Sequence, residues 1–429
     1  MTNFVCIVDA YSTGKYLAKA FKELGYKCIH IKSSSKLPDR FQHKTEDFIT
    51  SLEFDGDING LKSDLQAFGN IAFCIPGYES GVELADELSE KLCTPSNGSI
   101  SSKLRRNKYE MNEAVRQAGL ATVLHKKSHD CDDIVAWAKE QNLSASNPII
   151  LKPLESANGD NVFFCHDERE LREAFAKITR SKNQFGEENS EVLAETLNAG
   201  TEYIINSVSC DGRHYVAEMW RIIRKPSTTI YDKAVLLTPH DEEWAPITNY
   251  TIGVLNALKI QYGAGTTELK YTSEKGPILL ETSSRLMGGA NLTFAEEIAS
   301  FSQLSLLVES YHQSQKFLER LNHPRPPLKK YGMDVLLIST HQGILNVDIN
   351  DELKQIGLES LHSSKCLGKG DNLMVTTHQD STPGEIFLMA DNTEALERDY
   401  RKIRAWEKTF YNQAVYINQP AKQSDLLIS

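Results

Sequence analysis

Glu268 and Glu281 lie in the stretch TELKYTSEKGPILLETSSR, residues 267–285, which reads as two strands broken near Gly276 and Pro277. Folded as a symmetric hairpin about Glu274 and Lys275, the stretch sets Glu268 against Glu281, and Leu269 against Leu280 on the other face. Directly opposed carboxylates hold their Cβ atoms roughly 5 Å apart and repel. An oxygen-seeking cation such as Mg²⁺ removes that repulsion. Arg285, one short step further on, adds a fixed guanidinium beside the same place. A pairing slipped by one residue would instead turn both glutamates to solvent.

A second constellation stands in NPIILKPLESANGDNVFF, residues 147–164. Ile-Ile-Leu and Val-Phe-Phe read as two buried strands, yet Lys152 ends the first and Ser156, Ala157, Asn158 and Gly159 make the connection. A buried ammonium needs an anion. A turn of small residues lets backbone N–H groups approach one closely. Lysine and turn together point to a phosphate. With the paired acids and the arginine they describe a nucleoside-triphosphate site that has no Walker loop. STGK at 12–15 lacks the first glycine of that motif and reads as a tight turn.

The elements that position these residues follow from hydrophobic period. FVCIVDA (4–10) is an apolar strand, KYLAKAFKELGY (15–26) an amphipathic helix, KCIHIKS a second strand and NIAFCIPG (70–77) another, followed by a helix in YESGVELADELSEKL. Alternating strands and helices predict a parallel sheet covered on both faces. Helices are expected at 104–119, closed by Gly119, at 131–142 and at 167–182, and NQFGEENSE (183–191) reads as a mobile loop. Strands at 191–197, 202–210 and 213–221 follow, the last two turning at Asp211-Gly212. Helices at 247–258 and 291–319 flank the acidic hairpin, and NHPRPP opens a Pro-rich linker to a small αβ tail. KLRRNK (103–108) reads as one charged face of a loop or helix.

The chain has 429 residues, 40% hydrophobic and 24% charged, with a formal charge of −11. The length predicts several domains, and the charge argues against nucleic acid or an anionic membrane as partner. No run approaches the roughly 18–20 apolar residues of a membrane span, and the start lacks the basic region of a signal peptide. The eight cysteines are scattered, as expected for reduced thiols in a cytoplasm. The sequence leaves the oligomeric state open, with a homodimer as one candidate because dimers are the commonest soluble assembly.

Length, motif order and spacing resemble the ATP-grasp superfamily of carboxylate–amine ligases. GYESGVELADELSEKL, LAETLNAGTEYIINSVSCDGRHYVAEMWR and LLETSSRLMGG are most similar to the bacterial L-amino acid ligases, which join two amino acids into a dipeptide. The resemblance implies an α/β fold: a parallel N-terminal αβ substrate domain (1–100), a two-part grasp (101–190 and 191–325) and a C-terminal αβ cap (326–429). It implies ATP with Mg²⁺, or Mn²⁺ in its place, small-molecule acid and amine substrates, and an acyl phosphate. It places Lys108 and Lys152 on the phosphates, with Ser156, Ala157, Asn158 and Gly159 as a lid. Glu195 and Leu197 would meet the adenine and Glu202 the ribose. Glu268 and Glu281 would hold the metal, with Ser283 where many relatives carry asparagine, which leaves one or two metals open. Arg285 would act on the reaction itself. Gly288 and Gly289 offer N–H groups to a substrate carboxylate, and Glu79, or Glu83 a turn later, lies where an open αβ sheet binds a ligand and could hold an ammonium. A nucleotide-binding regulator that had lost chemistry should have lost Arg285 or one of the paired glutamates; all three are present.

Overall fold

The computed structural model describes residues 3–34, 46–157, 159–225, 228, 230–289 and 291–416. The first sheet comprises β1 (Asn3–Val8), β2 (Lys27–Lys32), β3 (Phe48–Glu53) and β4 (Asn70–Pro76), in the order β3-β2-β1-β4 and wholly parallel. From Phe4 on, β1 is buried along its length, as a strand covered on both faces must be. Helices α1 (Tyr16–Glu23), α2 (Ile58–Phe68) and α3 (Val82–Lys91) provide the cover. The carboxyl ends of β1 and β4 pass into the short turns 9–15 and 77–81. Gly14 is obligatory there, since a Cβ would stand 2.1 Å from the Gly77 carbonyl oxygen.

After α4 (Lys108–Gln117) a four-stranded antiparallel sheet contains β5 (His125–Ser128), β6 (Ile149–Pro153), β7 (Phe163–Cys165) and β8 (Val192–Thr196), in the order β5-β8-β6-β7. Helices α5 (Cys131–Glu140) and α6 (Glu168–Arg180) pack on it through Ile134, Ala138, Leu171 and Ile178, all fully buried. Burial at that level is worth about 1.5–3 kcal/mol per large side chain. Asp167 caps α6 by accepting from the Glu170 N–H at 2.8 Å.

The third unit is an eight-stranded sheet. Its first strands are β9 (Thr201–Cys210), β10 (Arg213–Arg224), β11 (Tyr231–Leu236), β12 (Gly263–Thr272) and β13 (Gly276–Ser283). Asp211 and Gly212 both take positive φ, 51° and 69°, the geometry of a two-residue hairpin turn between β9 and β10. Helix α7 (Trp244–Ala257) covers one face. The helix expected over 291–319 is three: α8 (Leu292–Ala299), α9 (Gln303–His312) and α10 (Ser314–Arg320). Ser300 in the left-handed region (φ 66°) stops the first, and the Ser302/Ser305 capping box starts the second.

The C-terminal segment extends the same sheet with three of its strands. β14 (Tyr331–Leu336) pairs with β11, and after β15 (Gly343–Leu345), α11 (Ile349–Leu353), β16 (Leu361–Cys366) and β17 (Asn372–Leu373) comes β18 (Gly384–Ala390). The full order is β13-β12-β9-β10-β11-β14-β18-β16. Helix α12 (Thr393–Ala414) covers this end, and β15, β17 and β19 (Val415–Tyr416) form a small separate ladder. Among the described residues no helix is long and apolar enough to cross a membrane.

Candidate active site

Paired residues on adjacent strands share a sheet face, so the ladder of the large sheet writes out its cleft surface in rows. One row runs Trp220, Ile204, Glu268, Glu281 across β10, β9, β12 and β13. The glutamates are therefore direct partners, as the hairpin predicts. A bulge just beyond them sets Leu269 against Leu279, not Leu280. Burial, then the charges of Glu281 and Glu202, push the Glu268 carboxyl up to about 8. Lys108, at the first turn of α4, stands with its Nζ 3.0 Å from Glu281 Oε2 and donates to the Ser156 carbonyl at 2.6 Å. It ties the 154–157 turn to the acidic hairpin. Ser283 is buried two residues beyond Glu281, on the same face.

Two carboxylates and a hydroxyl, all hard oxygen donors, fit Mg²⁺ or Mn²⁺ and not a thiolate-seeking metal. Among the described residues no three His, Cys, Asp or Glu side chains gather as a cage, so a cation here would draw its other ligands from a bound molecule.

Lys152 ends β6 as a buried side chain, its Nζ 2.7 Å from Glu195 Oε2 on β8. The Ser156 hydroxyl donates to Asp160 at 2.7 Å and Gly159 has φ 70°, while Asn158 lies outside the described residues. Ala157 packs with Tyr11, Tyr78 and Phe185. The polar stretch 183–191 is correspondingly not a free loop. Phe185 is 4% exposed, and Asn183 accepts from the N–H groups of Phe185 and Glu187 and donates to the Glu155 carbonyl at 2.7 Å. Leu197, just past β8, is exposed. Glu202 accepts from Arg224 Nη2 at 2.7 Å and from the Tyr231 hydroxyl at 2.9 Å.

Arg285 and Glu79 meet across 206 residues of sequence. Glu79 is 5% exposed; its Oε2 accepts from Arg285 Nε at 3.1 Å and its Oε1 from Arg106 Nη1 at 3.0 Å. Burial works against its charge, but Arg106, Arg285 and Lys108 together hold it below the usual carboxylate range. KLRRNK is thus no solvated face. Arg106 is buried against Phe185, and Arg105, wholly buried, binds Asp86 at 2.7 Å and the Leu258 carbonyl at 3.0 Å. Both acids come from the N-terminal unit, which is why the local sequence does not reveal them. The Glu83 side chain is exposed and makes no hydrogen bond or ion pair among the described residues. Gly288 and Gly289 lie exposed in the turn before α8, Gly288 directly over Ser12 of the β1 turn. Sequence reasoning passed over Arg106, Arg224, Tyr231 and Glu218. For Glu218 a signal exists, an acid inside the apolar run YVAEMWRII.

No family model matches the chain. It is 33% identical over 418 residues to dapdiamide A synthase of Enterobacter agglomerans, covering 95% of this chain and 96% of that one. Among solved structures, the L-amino acid ligase of Bacillus licheniformis shares the fold with a TM-score of 0.72 at 17% identity, over 94% of this chain and 97% of that one. The ADP complex of N5-carboxyaminoimidazole ribonucleotide synthetase superposes with a TM-score of 0.64 at 16% identity, over 95% and 97%. A cleft with paired acids and convergent cations, this fold, and a likeness that runs nearly end to end agree: the chain belongs to the ATP-grasp superfamily of carboxylate–amine ligases.

Proposed function

We propose that this protein joins the carboxylate of one L-amino acid to the amine of a second, through an acyl phosphate, releasing ADP and phosphate. The observation that carries the reading is the convergence of Arg285, Lys108 and the Glu268/Glu281 pair on one cleft. Lys108 and Lys152 would bind the phosphates under the 156–159 lid, Lys152 exchanging Glu195 for the nucleotide. Glu195 and Leu197 would then border the base and Glu202 the ribose. Glu268, Glu281 and Ser283 would hold Mg²⁺, or Mn²⁺, which when bound supplies positive charge against the phosphate oxygens.

The carboxylate oxygen of the acyl donor attacks the γ-phosphorus, and ADP leaves. The amine then attacks the acyl carbon, loses a proton, and phosphate departs. Arg285 stabilises the negative charge that develops in both steps, a contribution of about 3–4 kcal/mol for one preorganised donor in such sites. Glu79 is better read as the group that fixes Arg285 than as an ammonium ligand, because both its oxygens are already taken by guanidinium groups. The turn at Gly288 and Gly289 remains open to a substrate carboxylate.

A second reading keeps the chemistry and changes the acid. The relative at 33% identity is named for one specific amide, dapdiamide A, whereas the L-amino acid ligase is similar at 17%. Turnover with Mg²⁺, ATP and a pool of the twenty amino acids separates the two. ADP with a dipeptide mass supports the first; ADP only when another acid or amine is supplied supports the second. AMP and pyrophosphate would remove both.

A further inference from the structure

Glu218 is 7% exposed and lies on the cleft face. A bulge on β10 between Val216 and Glu218 resets the alternation and sets Glu218 opposite Asn206; Asn206 faces Thr266, and Thr266 faces Ser283. This row runs directly beside the row of Glu268 and Glu281. Two strands and two residues separate Glu218 from Glu268, about 12 Å between Cα positions.

Two neutral donors hold one oxygen of this carboxylate. Glu218 Oε2 accepts from Asn206 Nδ2 at 3.2 Å and from Trp220 Nε1 at 3.0 Å. Asn206 Nδ2 also stands 3.2 Å from Met287 Sδ. Thr266 Oγ1 reaches Asn206 Oδ1 at 3.4 Å and the Arg285 carbonyl at 3.3 Å. Glu218 is therefore wired to the underside of the Arg285–Met287 segment. Among the described residues its Oε1 takes no hydrogen bond and no ion pair forms, yet that oxygen is not sealed from solvent. Arg325, which interacts electrostatically with Glu218, gives its Nη1 and Nη2 to the Val216 and Ala217 carbonyls, while its buried Nε takes no partner among the described residues and forms no ion pair with Glu218. A buried carboxylate compensated on one oxygen only is completed by a cation presented from the cleft.

We infer that Glu218 binds the α-ammonium of the amino acid whose carboxylate is activated. In an α-amino acid the ammonium is one carbon from the carboxylate, so a donor with its carboxylate at Arg285 can turn its ammonium down to the sheet floor. The site then selects by chemistry as well as by shape. A carboxylic acid without the ammonium leaves Oε1 unpaired, and a buried polar group left unpaired discriminates far more strongly than a missing methylene. The inference rests on the ligase reading and names the class of its acyl donor.

The test compares wild type with Glu218→Gln on matched donors, alanine against propionate, with one amine, reading ADP and amide. The expected result is that the wild-type preference in kcat/KM for alanine over propionate falls by at least about a hundredfold in the variant. The loss should lie chiefly in KM, Glu218→Asp should recover part of it, and affinity for MgATP should be retained as a check on folding. An equal loss on both donors, or an unchanged preference, overturns the inference while leaving the ligase reading intact. Wild type that forms no ADP with any acid and amine removes the ligase reading. In that case calorimetric titration of alanine and propionate into the complex with a non-hydrolysable ATP analogue decides the subsite alone. Wild type must then bind alanine more tightly, and Glu218→Gln must not.

Discussion

Replacing Glu268 with glutamine should make the nucleotide-free protein more stable at pH 8. Burial, Glu281 and Glu202 raise this carboxyl from the ordinary 4.5 to about 8. Between those values the unfolded chain has lost the proton and the folded protein still holds it. The unfolded state binds fewer protons, so the group's contribution falls as pH rises from about 4.5 to about 8 and is level above. That gap corresponds to about 5 kcal/mol at 1.36 kcal/mol per pH unit. Glu268 keeps partial exposure, and solvent screening reduces the figure to about 2 kcal/mol. Glu268→Gln removes the penalty, so its melting temperature should exceed that of wild type by a few degrees at pH 8 and converge with it towards pH 5. Excess Mg²⁺ with an ATP analogue should reverse the order, since wild type gains two ligating carboxylates where the variant has one. Binding of the metal and nucleotide at pH 7 should also release a proton from wild type and not from the variant. A variant less stable than wild type at pH 8, or a difference that does not change with pH, would refute the reasoning.

Other changes have equally definite outcomes. Arg285→Ala should lower kcat by about a hundredfold to a thousandfold with nucleotide affinity retained, measured by single-turnover ADP release and calorimetry. Glu79→Ala leaves Arg106 buried without its acid, so denaturant melts should show a loss of about 3–5 kcal/mol, with Glu79→Gln less damaging. Lys108→Met breaks the tie between the 154–157 turn and Glu281, and should raise the KM for ATP while speeding amide hydrogen exchange across 154–157. Phe185→Ala removes the side chain that Ala157 and Tyr78 pack on, and should do the same to exchange without altering Glu281.

The parts of the fold that were legible in the sequence are those in which a local pattern decides. The acidic hairpin could be read because its strands carry their own turn, and Glu268 does face Glu281. No residue announces the bulge that follows, and so a regular hairpin predicts Leu280 opposite Leu269 where Leu279 stands. Asp211-Gly212 was likewise sufficient for its turn, because both positions need positive φ. What failed depended on distant partners. Arg105 and Arg106 look like surface charge until Asp86 and Glu79 arrive from another sheet. Phe185 hides in a polar stretch until Tyr78 covers it. The Tyr331–Leu336 strand joins Tyr231–Leu236 across about a hundred residues, a pairing that strand propensity cannot see. Within the site, residue type pointed to the facing acids Glu268 and Glu281 and to Arg285, whereas the groups that hold Glu202, Arg285 and Oε2 of Glu218 in place appear only in three dimensions.

The central claim is that a carboxylate is activated by phosphoryl transfer and then captured by an amine. Following heavy oxygen from a labelled acyl-donor carboxylate during turnover tests it most directly. The account predicts that one labelled oxygen appears in the released inorganic phosphate and the other stays in the amide carbonyl. Label in AMP, or phosphate released without label while amide accumulates, would contradict it.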